Sequence, residues 1–114
     1  MQDCIFCKIA RKEIGKLIYE DEQVAAFDDL NPQAPVHVLI VPKKHIARVS
    51  DVSGDEDECL MGHIIAVANK IAADRGISNE GYRIVVNCNE AAGQSVWHVH
   101  FHLLGGRRLG WPPG

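Results

Sequence analysis

The spacing of apolar and polar positions changes period several times along the chain, and each change marks an element. Ile5, Phe6, Ile9 and Ala10 fall at helical spacing, with Asp3 placed to cap the segment. "KLIYED" and "QVAAFDD" then read as two strands separated by a polar turn at Asp21 and Glu22, which predicts a hairpin. Two prolines in "LNPQAP" break that pattern, and the β-branched run in "VHVLIVPKKH" predicts a central strand ending at Pro42. The clearest helix covers residues 53–76, where Leu60, Met61, Ile64, Ile65, Ala68, Ile71 and Ala72 recur three and four apart. Ser53 and Glu56 fit a capping box, the acids from Asp55 to Glu58 suit the positive end of the helix dipole, and Arg75 with Gly76 gives a basic last turn and a stop. His63 reads as an ordinary surface residue of this helix.

"YRIVVNCN" and "VWHVHFHLLGG" bring the strands to five, and the loop "EAAGQS" between them has the small residues that let backbone approach a ligand. Short connections and a majority of strands predict an α+β fold: a five-stranded, mainly antiparallel sheet with one long helix and a short N-terminal helix. With 114 residues and no repeat or linker, the expectation is a single domain over residues 1–114.

Charge and composition then narrow the function. A formal net charge of −3 gives no global positive field for DNA or RNA, although a few local donors can still hold a small anion. No window reaches the ~20 apolar residues of a membrane span, and "MQDCIFCKIARKE" lacks a basic-then-apolar leader, so a cytoplasmic protein is expected. Four cysteines in such a setting suggest metal binding or burial before disulfides.

Half of the six histidines stand at alternate positions, in "HVHFH". In an extended segment His98, His100 and His102 share one face while Val99, Phe101 and Leu103 share the other, so the long helix is expected to cover the apolar side and leave the imidazoles for a pocket. A solvated polar strand face and a zinc hydrolase are both compatible with three such rings. One ion cannot easily take all three, because the outer Cα atoms of the set lie about 13 Å apart. At least one ring therefore has a different task.

These residues resemble the His-φ-His-φ-His-φ-φ signature of the histidine triad superfamily of nucleotide hydrolases and transferases. The resemblance extends to "DDLNPQAPVHVLIVPKKHI", "GYRIVVN", "GQSVWHVHFHLLGGR" and the terminal "WPPG", and is greatest to the histidine triad nucleotide-binding (Hint) branch. It implies an α+β fold, two protomers joined into one continuous sheet as a homodimer, and hydrolysis of the P–N bond of purine nucleoside phosphoramidates such as those of AMP or GMP. The implied nucleophile is His100, forming a nucleotidyl-histidine. His102 and the "GQS" loop would contact phosphate, Ser95 would pass a proton to the leaving amine, and His37 would hydrogen-bond behind the nucleophile to fix its tautomer. By itself His37 reads as a core or edge-strand histidine.

For the nucleoside, the resemblance points to Asp29 on the ribose hydroxyls, Phe27 and Leu30 as base walls, and Asn87, Gly93, Gln94, Ser95 and Val96 near the phosphate. Trp111 would come from a stiff tail crossing to the partner's pocket. Asp28 departs from the pattern, standing where close relatives carry histidine. Cys4 and Cys7 have C-x-x-C spacing, which suits zinc, a redox pair or two buried thiols. The resemblance adds His45 and His98 as partners in a structural zinc site and requires no catalytic metal. Cys59 and Cys88 read as packing or partly exposed thiols. Three rival readings remain at this level: a nucleotide-binding regulatory protein with incidental hydrolysis, a dinucleoside polyphosphate hydrolase, and a metal-dependent hydrolase.

Overall fold

The computed structural model describes residues 3–114. Five strands form one antiparallel sheet: β1 (Tyr19–Glu20), β2 (Val24–Asp28), β3 (Val36–Pro42), β4 (Tyr82–Val86) and β5 (Phe101–Gly105), in the spatial order β1-β2-β3-β5-β4. The β-branched run of β3 occupies the centre, as its continuous burial from His37 to Pro42 requires. β4 is an edge strand whose five residues are all only half-buried.

Each sheet face is covered differently. Helix α2 (Gly54–Asp74) buries Leu60, Ile64, Val67, Ala68, Ile71 and Ala72 against Val38, Ile40, Val99, Phe101 and Leu103. The opposite face packs Phe6 and Ala10 of the short helix α1 (Ile5–Ala10) onto Ala25, Phe27, Leu39 and Val41, leaving part of that face as a cleft. Alternation along β5 sends Phe101 and Leu103 into the α2 core and His102 to the cleft, and the segment before it continues the pattern with Val99 in the core and His100 at the cleft.

Several local expectations are corrected. Cys4, not Asp3, caps α1, its Sγ accepting the Cys7 N–H at 3.3 Å. The capping box of Ser53 and Glu56 does not form: Asp57, one residue on, takes the Ser53 N–H at 3.2 Å and Lys44 at 2.7 Å, tying the start of α2 to the end of β3. Val67 replaces Ile65 in the buried stripe, and Ile65 is 44% exposed. β5 begins only at Phe101, so Val96 to His100 lie outside the ladder and follow an irregular path anchored by the Val99 N–H on Ile46 O at 2.7 Å.

His63 also does more than face solvent. Its Nε2 meets Asp21 Oδ2 at 2.6 Å, joining α2 to the turn between β1 and β2. Burial pushes the Asp21 carboxyl up, but the Tyr19 hydroxyl, the Gln23 and Val24 amides and His63 outweigh it and hold it at about 2.

Candidate active site

The cleft, about 550 Å³, lies on the α1 side of the sheet. One cross-sheet row forms its floor: Ile18, just before β1, is followed by Phe27, Leu39 and His102 on successive strands. His100, Ser95 and Val96 close the histidine end, Asp29 and Leu30 form a rim, and Ile5, Phe6 and Ile9 of α1 form an apolar wall. Those three α1 residues, with Ile18 and Leu39, were not singled out from the sequence, where their spacing read as packing. Leu30 lines the cleft and is otherwise fully exposed. Solvent-facing leucine beside a polar rim was the signal available in "DDLNP".

Hydrogen bonds assign the histidine tautomers. His100 is buried, and its Nδ1 lies 2.8 Å from the carbonyl of His98, a pure acceptor, so Nδ1 carries the hydrogen and Nε2 keeps a bare lone pair. The Gln33 backbone N–H donates to His37 Nδ1 at 3.0 Å, which leaves the hydrogen on His37 Nε2. That Nε2 lies 2.9 Å from His102 Nδ1 and 3.4 Å from Asp29 Oδ2, so His102 accepts at Nδ1 and presents an Nε2–H donor. Two adjacent rings, 5.2 Å apart between centroids, thus have opposite characters: His100 offers an electron pair and His102 a hydrogen.

This corrects one expectation. His37 stands behind His102, and the group that fixes His100 is the backbone carbonyl of His98. Burial, and then the neighbouring His100 and His37, pushes His102 down to about 4, with Asp29 acting weakly in the other direction. At neutral pH the ring stays uncharged, as the relay requires.

Asp29 is positioned by its own loop. Its amide donates to His37 O at 2.9 Å, and its Oδ1 accepts the Asn31 N–H at 2.8 Å. Asp28, the next residue back, also lines the cleft, but its carboxylate turns to the α2 side, where Arg75 just after the helix grips it at 3.1 and 3.3 Å. The anomalous carboxylate is thus held by a cation away from the floor of the cleft.

Four expected nucleotide contacts do not line the cleft. Asn87 follows β4 outside it. Gln94 is buried, its amide donating to Ala47 O and Val96 O while its oxygen accepts the Asn89 N–H, so it shapes the loop and does not face a ligand. Gly93 supplies the left-handed turn, with φ +92°, that precedes Ser95. Trp111 is 82% exposed and sits 6.0 Å from the Arg83 guanidinium.

Behind the two cleft histidines, Cys4, Cys7, His45 and His98 bring four donor atoms within 4.8 Å of one another, an arrangement that could hold a metal ion. His98 is fully buried, and its Nε2 lies 2.8 Å from Pro42 O, which leaves the Nδ1 lone pair facing the cluster. Cys4 Sγ and Cys7 Sγ lie 3.3 and 3.5 Å from that Nδ1, Cys7 Sγ lies 3.3 Å from His45 Nδ1, and the two Nδ1 atoms are 3.1 Å apart. Tetrahedral zinc, with bonds of about 2.3 Å to sulfur and about 2.0–2.1 Å to nitrogen, separates sulfur from nitrogen by about 3.5 Å and two nitrogens by about 3.3 Å. The donor set fits that ion. Without a cation, burial first and then the Cys4 hydrogen bond and charge push the Cys7 thiol up to about 11, and burial lowers His45 and takes His98 down to about 4.

Asp29, His37 and His102 form a second group of donors close enough for a metal. Their hydrogen bonds oppose it. The Gln33 amide forces the hydrogen of His37 onto the atom that would have to bind the ion.

Comparison with known proteins agrees with this geometry. Residues 11–109 match the family model described as the HIT domain. The chain is 49% identical to the purine nucleoside phosphoramidase of Escherichia coli strain K12, over 96% of this chain and 92% of that protein. Among solved structures, a HIT family hydrolase from Legionella pneumophila Philadelphia 1 superposes with a TM-score of 0.94 at 50% identity, covering 98% of this chain and all of that one. A histidine triad protein from Clostridium difficile gives 0.92 at 47% identity, over 96% of each chain. A family match across most of the chain, close relatives over nearly their whole length and the paired histidine tautomers lead to one assignment: the chain belongs to the HIT domain family.

Proposed function

We propose that this chain, acting as a single domain, hydrolyses the P–N bond of purine nucleoside 5′-phosphoramidates, those of adenosine or guanosine, through a nucleotidyl-histidine intermediate. The opposite tautomers of His100 and His102 carry this reading. His100 Nε2 attacks the α-phosphorus and the bond to nitrogen breaks, its electron pair leaving with the amine. Ser95 passes a proton to that amine. His102 Nε2–H stabilises a non-bridging oxygen as charge builds on it. Water then attacks the same phosphorus and the P–N bond to His100 breaks, its electron pair returning to Nε2; the proton lost by the water restores Ser95, and the nucleoside monophosphate leaves.

The phosphoramidase of Escherichia coli supports the substrate class. Phe27, Leu39 and the α1 wall form an apolar slot for a purine, and Asp29 on the rim has the carboxylate needed for the ribose hydroxyls. The proposed structural zinc would be held by Cys4, Cys7, His45 and His98 and would supply a closed crosslink, with no position open to substrate. The half-buried β4 edge and the exposed Trp111 support a homodimer that extends the sheet, with the tail reaching the partner's cleft.

Covalent trapping tests the reading. Protein mixed with a radioactive adenylate phosphoramidate and quenched in base should yield an acid-sensitive label on the peptide containing His100. A His100→Asn variant that labels and turns over like the parent overturns it.

A further inference from the structure

We infer that Lys16 makes the cleft selective for 6-oxopurine nucleotides over 6-aminopurines, an inference that rests on the phosphoramidase reading. Among the described residues, Lys16 is the single lysine or arginine lining the cleft. None of the ion pairs among those residues includes it, so its ammonium keeps its hydrogens for a ligand. Gly15, in the left-handed region at φ +73°, turns the chain back against the Ile9 side chain at the mouth of the cleft and so delivers Lys16 there.

The sheet sets where that ammonium lies relative to a nucleotide. His102, Leu39, Phe27 and Ile18 occupy successive strands of one row. Three inter-strand steps of about 4.8 Å place Ile18 about 14 Å from His102. With phosphate at His102 and His100, a purine lying over Leu39 and Phe27 points its six-membered ring towards Ile18 and Lys16. The far edge of a purine is where guanine and hypoxanthine differ from adenine. The 6-oxopurines present O6 and N7 as adjacent acceptors, whereas adenine replaces the first with an amino donor. A lysine ammonium only donates, so it matches the first pattern and opposes half of the second. Asp28 also lines the cleft, but Arg75 holds its carboxylate, so it does not compete for the base edge.

The test compares kcat/KM for inosine, guanosine and adenosine phosphoramidates carrying the same amine. Inosine and guanosine should each exceed adenosine by roughly three- to tenfold, the size of one charge-assisted bond at a partly solvated site. Lys16→Met should bring the inosine-to-adenosine ratio to about one, Lys16→Arg should preserve the preference, and Lys12→Met, which removes one of the two lysine partners of Glu20 outside the cleft, should leave the ratio unchanged. Equal turnover of the three substrates by the parent protein, or a preference that survives Lys16→Met, overturns the inference while leaving the phosphoramidase reading in place. Absence of turnover with every substrate removes both.

Discussion

His37 separates two functions on one ring, and two near-isosteric variants can pull them apart. His37→Asn places an amide oxygen near the old Nδ1, where it can still accept the Gln33 N–H, but nothing then reaches His102 Nδ1. His37→Gln places an amide nitrogen near the old Nε2 and keeps the donor to His102 while losing the bond from Gln33. In the Asn variant the His102 tautomer is no longer imposed from outside. One hydrogen bond biases it by about 1 kcal/mol, so turnover should fall by about fivefold and not much further. Removing the donor ring itself, in His102→Ala, should cost about 10²–10³ in kcat, as loss of an oxyanion donor does elsewhere. The Gln variant should retain most turnover yet lose about 1–3 kcal/mol of stability through the stranded Gln33 amide. Steady-state release of a fluorescent amine from an adenylate phosphoramidate, with denaturant melts of each variant, reads both quantities. A His37→Asn variant as inactive as His102→Ala would refute the tautomer argument, since orientation alone cannot supply that much.

Acid sensitivity follows from His102, whose folded pKa of about 4 lies below the ordinary 6.5. Between those values the unfolded chain binds the extra proton, so stability is complete above about pH 6.5 and declines as pH falls towards 4; the full difference is about 3 kcal/mol, reduced to about 1–2 by partial exposure. Denaturant melts at pH 7 and pH 4.5 should show that loss, and a His102→Asn variant with an equal loss would assign it elsewhere. Metal analysis of protein purified without added zinc should find close to one equivalent per chain, and Cys4→Ser should lower Tm more than turnover; metal-free wild type of unchanged Tm would reject the site. Light scattering should report a dimer, a monomer at working concentration rejecting it, and deletion of residues 110–114 should alter substrate selectivity if the tail serves a cleft.

The fold was legible because α2 follows the helical period and β5 alternates between faces, both imposed by backbone geometry, while β2 and β3, buried on both faces, show as short continuous apolar runs. Alternation also placed His100 and His102 on the cleft side and Val99, Phe101 and Leu103 in the core. Partner choice was not legible. Which ring His37 meets depends on the register that sets Leu39 opposite His102 and His37 opposite Leu104, a fact of strand pairing to which local composition is blind. Asp57 displaced Glu56 at the start of α2 because Lys44, thirteen residues earlier, is there to share it. The role of Gln94 was misassigned for a similar reason: a glutamine in a small-residue loop looks free to meet a ligand, and only the fold shows its amide fully used.

The cysteine pair and the cleft histidines are joined by a single helical turn. Cys4 and Cys7 flank Phe6, so any crosslink between those sulfurs and His45 and His98 fixes the rotation of α1 about its axis. Phe6 then projects between the two halves of the site, its ring 5.0 Å from His100, 6.2 Å from His98 and 5.4 Å from Phe27. One aromatic side chain therefore backs His100 and the floor of the cleft together, while Ile5 and Ile9 on the same helix form the cleft's wall. A six-residue helix is too short to hold its conformation alone. Its position must come from tertiary contacts, which are Phe6 and Ala10 in the second core cluster and the sulfur atoms of Cys4 and Cys7. His98 completes the connection: its ring belongs to the four-donor cluster, and its carbonyl holds the hydrogen that leaves His100 Nε2 bare. The first and second histidines of "HVHFH" are thus coupled through the ring and the carbonyl of one residue, so the proposed anchor and the proposed nucleophile can stand only two positions apart.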